Sequence, residues 1–209
     1  MPRIDLSNEE VRALLLNSAR ELFRQNGIAV TEMKAIAEKA GLSRSTLYRY
    51  TIDKHQLAFL VVNQEISELF EKCIAFTPQT KLTGYDKLHA YCYNQIDIFE
   101  KNVPTLRLLH EFDSIYTGDY PDIDESRDYI VTVQRLQNRT LQLVLEGLSD
   151  RSINHIDDPV MYAAALEHTL FGLSLRFFPR EKHYMEEQHF KARSCISAAV
   201  DILLSSVKA

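Results

Sequence analysis

Apolar residues recur at helical spacing along almost the whole chain, and no stretch of useful length alternates with period two. A chain patterned in this way cannot lay one face of a strand against a core, so the expected fold class is all-α. Ser7 and Glu10 form an S-x-x-E capping box ahead of one apolar face, Val11, Leu14, Leu15, Ala19, Leu22 and Phe23, which stops at Gly27. Thr31 suits the N-cap of a second helix that presents Ile36, Ala37 and Ala40 and ends at Gly41. Ser43 caps a third helix to Tyr50, and Asp53 a fourth that runs through Leu57, Leu60, Val61, Ile66 and Phe70 toward Pro78. Further helices are expected at Tyr85–Lys101, Pro104–Ile115, Asp124–Glu146, Pro159–Phe178 and Glu186–Ser206. The breaks between them fall at Asn102, "YTGDYPDID", Gly147 and Pro179.

The segment "AEKAGLSRSTLYRYTIDKHQL", Ala37–Leu57, departs from the rest because hydroxyls, arginines and tyrosines outnumber its apolar residues. Two short helices joined by "AGLS" match a helix-turn-helix unit, in which Gly41 supplies the positive φ of the turn. Leu42 and Leu47 then pack on Ile36 and Ala37, and Arg44, Ser45, Tyr48 and Arg49 point outward. A displayed helix start with serine and arginine suits the major groove of DNA. One bidentate arginine–guanine pair there is worth about 1–3 kcal/mol of discrimination, and Arg44 is the foremost candidate. Thr31 and Lys54 open the flanking helices, where backbone N–H groups attract phosphate, and so position the unit without reading sequence. On spacing alone, Arg44 and Arg49 equally suit a solvated face, and Tyr48 and Tyr50 a packed corner.

Charge is compatible with this reading without requiring it. The formal net charge is −5, but up to Leu60 nine Lys/Arg face seven Asp/Glu, against fifteen and twenty-two beyond it. The first part is therefore mildly basic and the rest acidic. Cys73, Cys92 and Cys195 lie far apart without metal-ligand spacing, so neither a disulfide framework nor a metal or other cofactor is expected. The opening "MPRIDLSNEEVR" is too charged for a signal peptide, and no apolar run approaches a membrane span, so a cytoplasmic location is expected.

The run Val11–Leu57 resembles the N-terminal domain of TetR-like (tetracycline-repressor) transcriptional regulators. It follows their pattern at Ala19, Leu22, Phe23, Gly27, Thr31, Ile36, Ala37, Ala40, Gly41, Ser43, Thr46, Leu47, Tyr48, Tyr50, Lys54 and Leu57, about a quarter of the chain. The resemblance implies a DNA-binding domain over residues 1–52, with Thr31, Ser43, Arg44, Ser45, Thr46, Tyr48, Arg49 and Lys54 at the DNA. It implies an effector-binding and dimerisation domain over residues 53–209. The chain departs from the family where Thr51 replaces the usual aromatic and "DKH" the usual Ser-Lys-Glu, which alters the expected packing of the reading helix on the fourth helix.

The helix "PVMYAAALEHTLFGLSLRFF" is apolar on nearly every side, which points to burial by more than its own domain. By resemblance it and the last helix form a four-helix contact between two copies, through Leu166, Leu170, Gly172, Leu173, Cys195, Ile196, Ala199 and Leu203. An ordinary core within one chain is the alternative. An effector pocket, again implied by the family, would draw on Tyr91, Phe99, His110, Phe112, Tyr116, Tyr129, His168 and Phe171, although aromatic residues at helical spacing equally suit a core.

The expected function is that of a dimeric, sequence-specific DNA-binding transcriptional regulator, a repressor on an inverted-repeat operator that a small-molecule effector releases. A regulator controlled by a protein partner docking on the acidic domain is the alternative. Catalysis is not expected, since the chain has no G-x-S-x-G, P-loop, dinucleotide fingerprint or His/Cys cluster with metal spacing, and "DDP" at Asp157 reads as helix capping.

Overall fold

A computed structural model describes residues 8–50, 53–78 and 81–209, without the side chains of residues 136 and 137. Its elements are α1 (Asn8–Asn26), α2 (Met33–Lys39), α3 (Arg44–Tyr50), α4 (Lys54–Ile74), α5 (Gly84–Lys101), α6 (Val103–Ile115), α7 (Asp124–Ser149), α8 (Pro159–Phe177), α9 (Glu181–Gln188) and α10 (Ala192–Ser205). A 3-10 turn covers Phe178–Arg180, and an isolated antiparallel bridge joins Ile153 to Lys208. The fold is all-α, as the periodicity requires.

Local chemistry sets several of the helix starts. Ser43 Oγ accepts from Thr46 N at 3.1 Å and Asp53 Oδ1 from Gln56 N at 2.9 Å, which satisfies backbone donors that have no partner inside the helix. Asp158 caps α8 through Met161 N at 2.9 Å, with Pro159 in the first turn. The Ser7 half of the expected capping box lies outside the described residues, as do Thr51 and Ile52.

Three expectations are corrected. Thr31 is not the N-cap of α2: Glu32 occupies that position without a side-chain cap, and the Thr31 hydroxyl donates to Gly27 O at 2.6 Å. Gly147 does not end a helix, because α7 continues through it to Ser149. The final helix expected from Glu186 is two helices, parted at His189, which takes a left-handed conformation (φ 58°). After this break Phe190 stacks on Tyr184 with ring centroids 5.5 Å apart, beside Phe177, so ring packing compensates for the lost helical bonds.

The chain forms two compact units. The first contains residues up to Glu65 together with Leu108–Ile130, and so extends beyond the segment 1–52. Its core takes Val11, Leu15, Ala19 and Phe23 from α1, Ile36 and Ala37 from α2, Leu47 from α3, and Leu57, Ala58, Val61 and Val62 from α4. Each large side chain buried in this way contributes about 1.5–3 kcal/mol. Glu65 is buried with them but receives Arg24 at 2.7 Å and Arg20, so its charge is compensated.

The second unit, Ile66–Arg107 with Val131–Ala209, is cored by Leu88, Ile96 and Phe99 of α5, Leu143 and Val144 of α7, Ala163, Leu166 and Leu170 of α8, and Ile196, Val200 and Leu204 of α10. The start of α5 lies close against the end of α7. A Cβ built on Gly84 would lie 2.2 Å from Gly147 N, and Gly84 N donates to Asp150 Oδ2 at 2.6 Å.

The obstacle at Gly84 is backbone, which cannot swing aside as a side chain can. Gly84→Ala is therefore expected to destabilise the protein by about 1–3 kcal/mol or more. The melting temperature should fall by roughly 3–10 °C in a calorimetric comparison with the unaltered chain.

Candidate nucleic-acid interface

The turn between α2 and α3 is built as a helix-turn-helix requires. Gly41 has φ +69°, and Leu42 N donates back to Ala37 O at 2.9 Å, closing the C-terminus of α2. Leu47 is fully buried and fixes α3 on the unit, while Arg44, Ser45, Tyr48 and Arg49 are exposed. The hydroxyls of Ser43, Ser45 and Thr46 lie 2.8 Å apart in a chain centred on Ser43. At the other end of α3, Tyr50 donates to Asn8 Oδ1 of α1 at 2.6 Å, and the Arg49 guanidinium stands 5.9 Å above the Tyr50 ring. The outward face of α3 is thus polar, cationic and held at both ends.

Thr31 and Lys54 are placed differently from the exposed candidates. Thr31 is only 4% exposed, its hydroxyl turned inward. Lys54 donates through Nζ to Ala29 O at 2.7 Å and to Thr31 O at 3.3 Å. Both residues shape the corner between α1 and α2. The opposite side of that corner is held by Glu111 of α6, whose carboxylate accepts from Ile28 N at 2.9 Å and Ala29 N at 3.0 Å. Gly27 (φ +94°) makes room for it, since a Cβ there would lie 2.8 Å from Glu111 Oε1. Two further bonds tie the start of α4 to the residues after α6 and to the first turn of α7: His55 Nδ1 with Tyr116 OH at 2.8 Å, and Gln56 Nε2 to Glu125 Oε1 at 2.9 Å.

The residues expected around an effector fall in two groups. In the first unit, Phe112, Tyr116 and Tyr129 surround Phe59, with centroids 4.8, 4.8 and 6.0 Å from its ring, and Tyr120 joins them at 5.4 Å. These rings pack on one another as a core does, and His110 is exposed. In the second unit, Tyr91 and Phe99 are fully buried and Phe171 half-buried, with Phe171 5.5 Å from Phe99 and 6.0 Å from Phe70. His168 belongs to neither group, being exposed on α8.

Beside the second group lies a polar cluster that the sequence reading passed over. Glu167 of α8 is buried and accepts from Gln95 Nε2 at 2.7 Å and from Thr140 Oγ1 at 2.5 Å. Burial pushes its carboxyl from the usual 4.5 to about 7, opposed only in part by those two hydrogen bonds. Gln95 Oε1 is buried there without a hydrogen-bond partner, and the buried Tyr91 hydroxyl sits beside the Gln95 side chain. Burial also raises the thiols of Cys73 and Cys92 above their usual range, with the Glu167 charge adding to the effect. The available sequence signal was the single carboxylate amid the apolar stretch "AAALEHTLFG".

The residues expected at a contact between copies lie at different depths. Leu166, Leu170 and Ile196 are buried inside their own unit, while Leu173, Cys195, Ala199 and Leu203 are half-buried. The outward positions are Met161 (63% exposed), Ala165, His168 and Gly172 on α8, and Ala198 and Ile202 (69% exposed) on α10. Among the described residues, no group of three or more His, Cys, Asp or Glu side chains is placed to hold a metal, and no helix is long and apolar enough to cross a membrane.

Residues 15–60 match the family of bacterial regulatory proteins, tetR family. The HTH-type transcriptional regulator UidR of Escherichia coli K12 is 34% identical over 65 residues, which is 31% of this chain and 33% of UidR. The match thus spans about a third of that relative's length. Across nearly the whole chain the fold is similar to that of a tetR-family regulatory protein from Rhodococcus RHA1 (TM-score 0.68, 14% identity, 95% of this chain and 97% of that one). It is also similar to FadR of Bacillus subtilis in complex with stearoyl-CoA (0.64, 15%, 93% and 98%) and to the ketosteroid regulator KstR2 of Mycobacterium tuberculosis (0.63, 14%, 95% and 95%). The chain is TetR-like: its helix-turn-helix segment is a tetR-family domain, and its overall fold is the one these regulators share.

Removing the Glu111 carboxylate leaves two backbone donors to partial hydration. Glu111→Ala is expected to cost about 1–2 kcal/mol in chemical denaturation. It should also speed hydrogen exchange at the Ile28 and Ala29 amides, while Glu111→Gln, which retains an acceptor, is affected less.

Glu167 gives a prediction of opposite sign to the usual carboxylate. An acid whose folded pKa lies above its unfolded value holds its proton more tightly when folded, so its favourable effect is full below 4.5 and is lost as pH rises toward about 7. Glu167→Gln is therefore expected to gain on the unaltered chain by on the order of 1–3 kcal/mol between about pH 5 and about pH 8, read from urea unfolding at both.

Proposed function

We propose that the protein is a sequence-specific DNA-binding transcriptional regulator that acts in the cytoplasm as a homodimer on an inverted-repeat operator and is released by a small-molecule effector. The observation that carries this reading is the face of α3. Arg44, Ser45, Tyr48 and Arg49 are displayed together on a helix fixed by Leu47 and by the Tyr50–Asn8 bond. Arg44, in the first turn, would read base edges, while Ser43 and Thr46 are suited to phosphate and Tyr48 to either. Thr31 and Lys54 contribute by shaping the corner that presents α3. The regulator reading is supported by the similarity to UidR over this domain.

Dimerisation is supported by the outward faces of α8 and α10, where Met161 and Ile202 are exposed and Ala165, Gly172 and Ala198 permit close helix approach. Two-fold symmetry would give two copies of α3 the spacing that an inverted repeat demands. An effector is supported by fold similarity to FadR with stearoyl-CoA and to the ketosteroid regulator KstR2. Its binding would act on DNA affinity through α6, whose Glu111 grips the α1–α2 corner. To release DNA the effector must prefer the non-binding conformation, and each tenfold shift requires about 1.4 kcal/mol of preference.

Selection of the purified protein against randomised duplex DNA at near-physiological salt tests the reading, because phosphate contacts alone give salt-sensitive binding without sequence preference. The expected outcome is an enriched inverted repeat. Arg44→Ala should lose about 1–3 kcal/mol on that sequence and relax the requirement at one base pair of each half. Retention without enrichment would overturn the proposal.

A further inference from the structure

The polar cluster around Glu167 has an imbalance that specifies what would complete it. On α5 the residues Tyr91, Gln95 and Phe99 follow one another at i, i+4 spacing, and on α8 Glu167 and Phe171 do the same. The two stripes meet in register: Gln95 bonds Glu167 at 2.7 Å, and Phe99 packs edge-on against Phe171 at 5.5 Å. A polar step is therefore followed by an aromatic step, and the half-buried Phe171 brings the stripe toward the surface.

The polar step is rich in acceptors and short of positive charge. Glu167 receives two donors, Gln95 Nε2 and Thr140 Oγ1, whereas Gln95 Oε1 has none, and the Tyr91 hydroxyl sits beside the Gln95 side chain. The titratable groups acting with Glu167 are Tyr91 and Cys92 of α5 and Cys73 of α4, and burial keeps all three neutral at ordinary pH. None of them can supply a compensating cation. By contrast, the buried Glu65 of the first unit has Arg20 and Arg24. A buried carboxylate without such a partner is costly, and a ligand that brings a cation and hydrogen-bond donors relieves the cost. An anionic or purely apolar group at the same place would not.

We propose that this cluster is a binding site for an organic ammonium ion with an apolar body, its nitrogen against Glu167, Gln95 Oε1 and Tyr91 and its apolar part along Phe99 and Phe171. The inference rests on the effector reading above and names the chemical class of the effector. Aromatic faces beside the cation add to the attraction. Binding of the cation favours the ionised form of Glu167, so below its folded pKa, about 7, uptake of ligand expels a proton.

The test uses the full chain and three probes of equal length, decylammonium, decanol and decanoate, each below its micellar concentration, in titration calorimetry. Decylammonium is expected to saturate one site per chain at least about tenfold more tightly than decanol, with decanoate weaker still. Near pH ~6.5, runs in two buffers of different ionisation enthalpy should show protons released on binding, and affinity should rise from about pH 6 to about pH 8. Glu167→Gln should lose about tenfold or more in decylammonium affinity and abolish the proton release, with its fold checked by circular dichroism. Equal affinity for decanol and decylammonium, no saturable amine binding, or binding without proton release by the unaltered chain would each overturn the inference. All three require no variant, so they decide the matter even if Glu167→Gln fails to fold. An enriched operator with no amine binding would leave the regulator reading standing and sink this site. Glu167-dependent amine binding by a chain that enriches no DNA sequence would do the reverse.

Discussion

The corner between α1 and α2 is gripped from two sides by opposite charges. Lys54 takes the carbonyls of Ala29 and Thr31, and Glu111 takes the amides of Ile28 and Ala29. A backbone turn has both donors and acceptors to satisfy, and here an ammonium and a carboxylate from helices distant in sequence do so. The placement of α2 follows from this corner, that of α3 from Leu47 and the Gly41 turn, and the display of Arg44 and Arg49 from α3. The aromatic cluster around Phe59 supports the grip, because it fixes the first turns of α4 and the last turns of α6 through direct ring contact.

Much of this was legible in the sequence wherever a local rule decides the outcome. The all-α class, the Gly41 turn and the caps at Ser43, Asp53 and Asp158 are set by residues within a few positions of one another, and the structure has them where spacing places them. Thr31 misled because a threonine before a helix is a good cap in isolation. In the folded chain its hydroxyl finds Gly27 O and its side chain is buried. Gly147 misled for a similar reason: a Cβ there would lie 2.4 Å from Ile153 Cδ1, a packing requirement that no helix-ending pattern displays. His189 gave no sign of a break because the compensation lies in the stacking of Phe190 on Tyr184.

The candidate sites divide along the same line. The displayed residues of α3 could be picked out because a polar face between two glycine-marked corners is a pattern in one dimension. Glu111 could not, since its partners lie more than eighty residues away, and it sat in the sequence as one charge among many. On α8, helical apolarity marks a buried helix without saying which side meets its own unit: Leu166 and Leu170 turn inward, and the exposed positions are Met161, Ala165, His168 and Gly172.

Cys73 and Cys92 flank the Glu167 cluster, and both are sealed from solvent and held as thiols. Since only an exposed thiolate reacts with alkylating reagents, neither can be modified until the helices around it part. The chain therefore carries two chemical clocks in the interior of its second unit. Their modification rates would report how often that interior opens, with Cys195, half-buried on α10, as an internal reference for a thiol already near the surface.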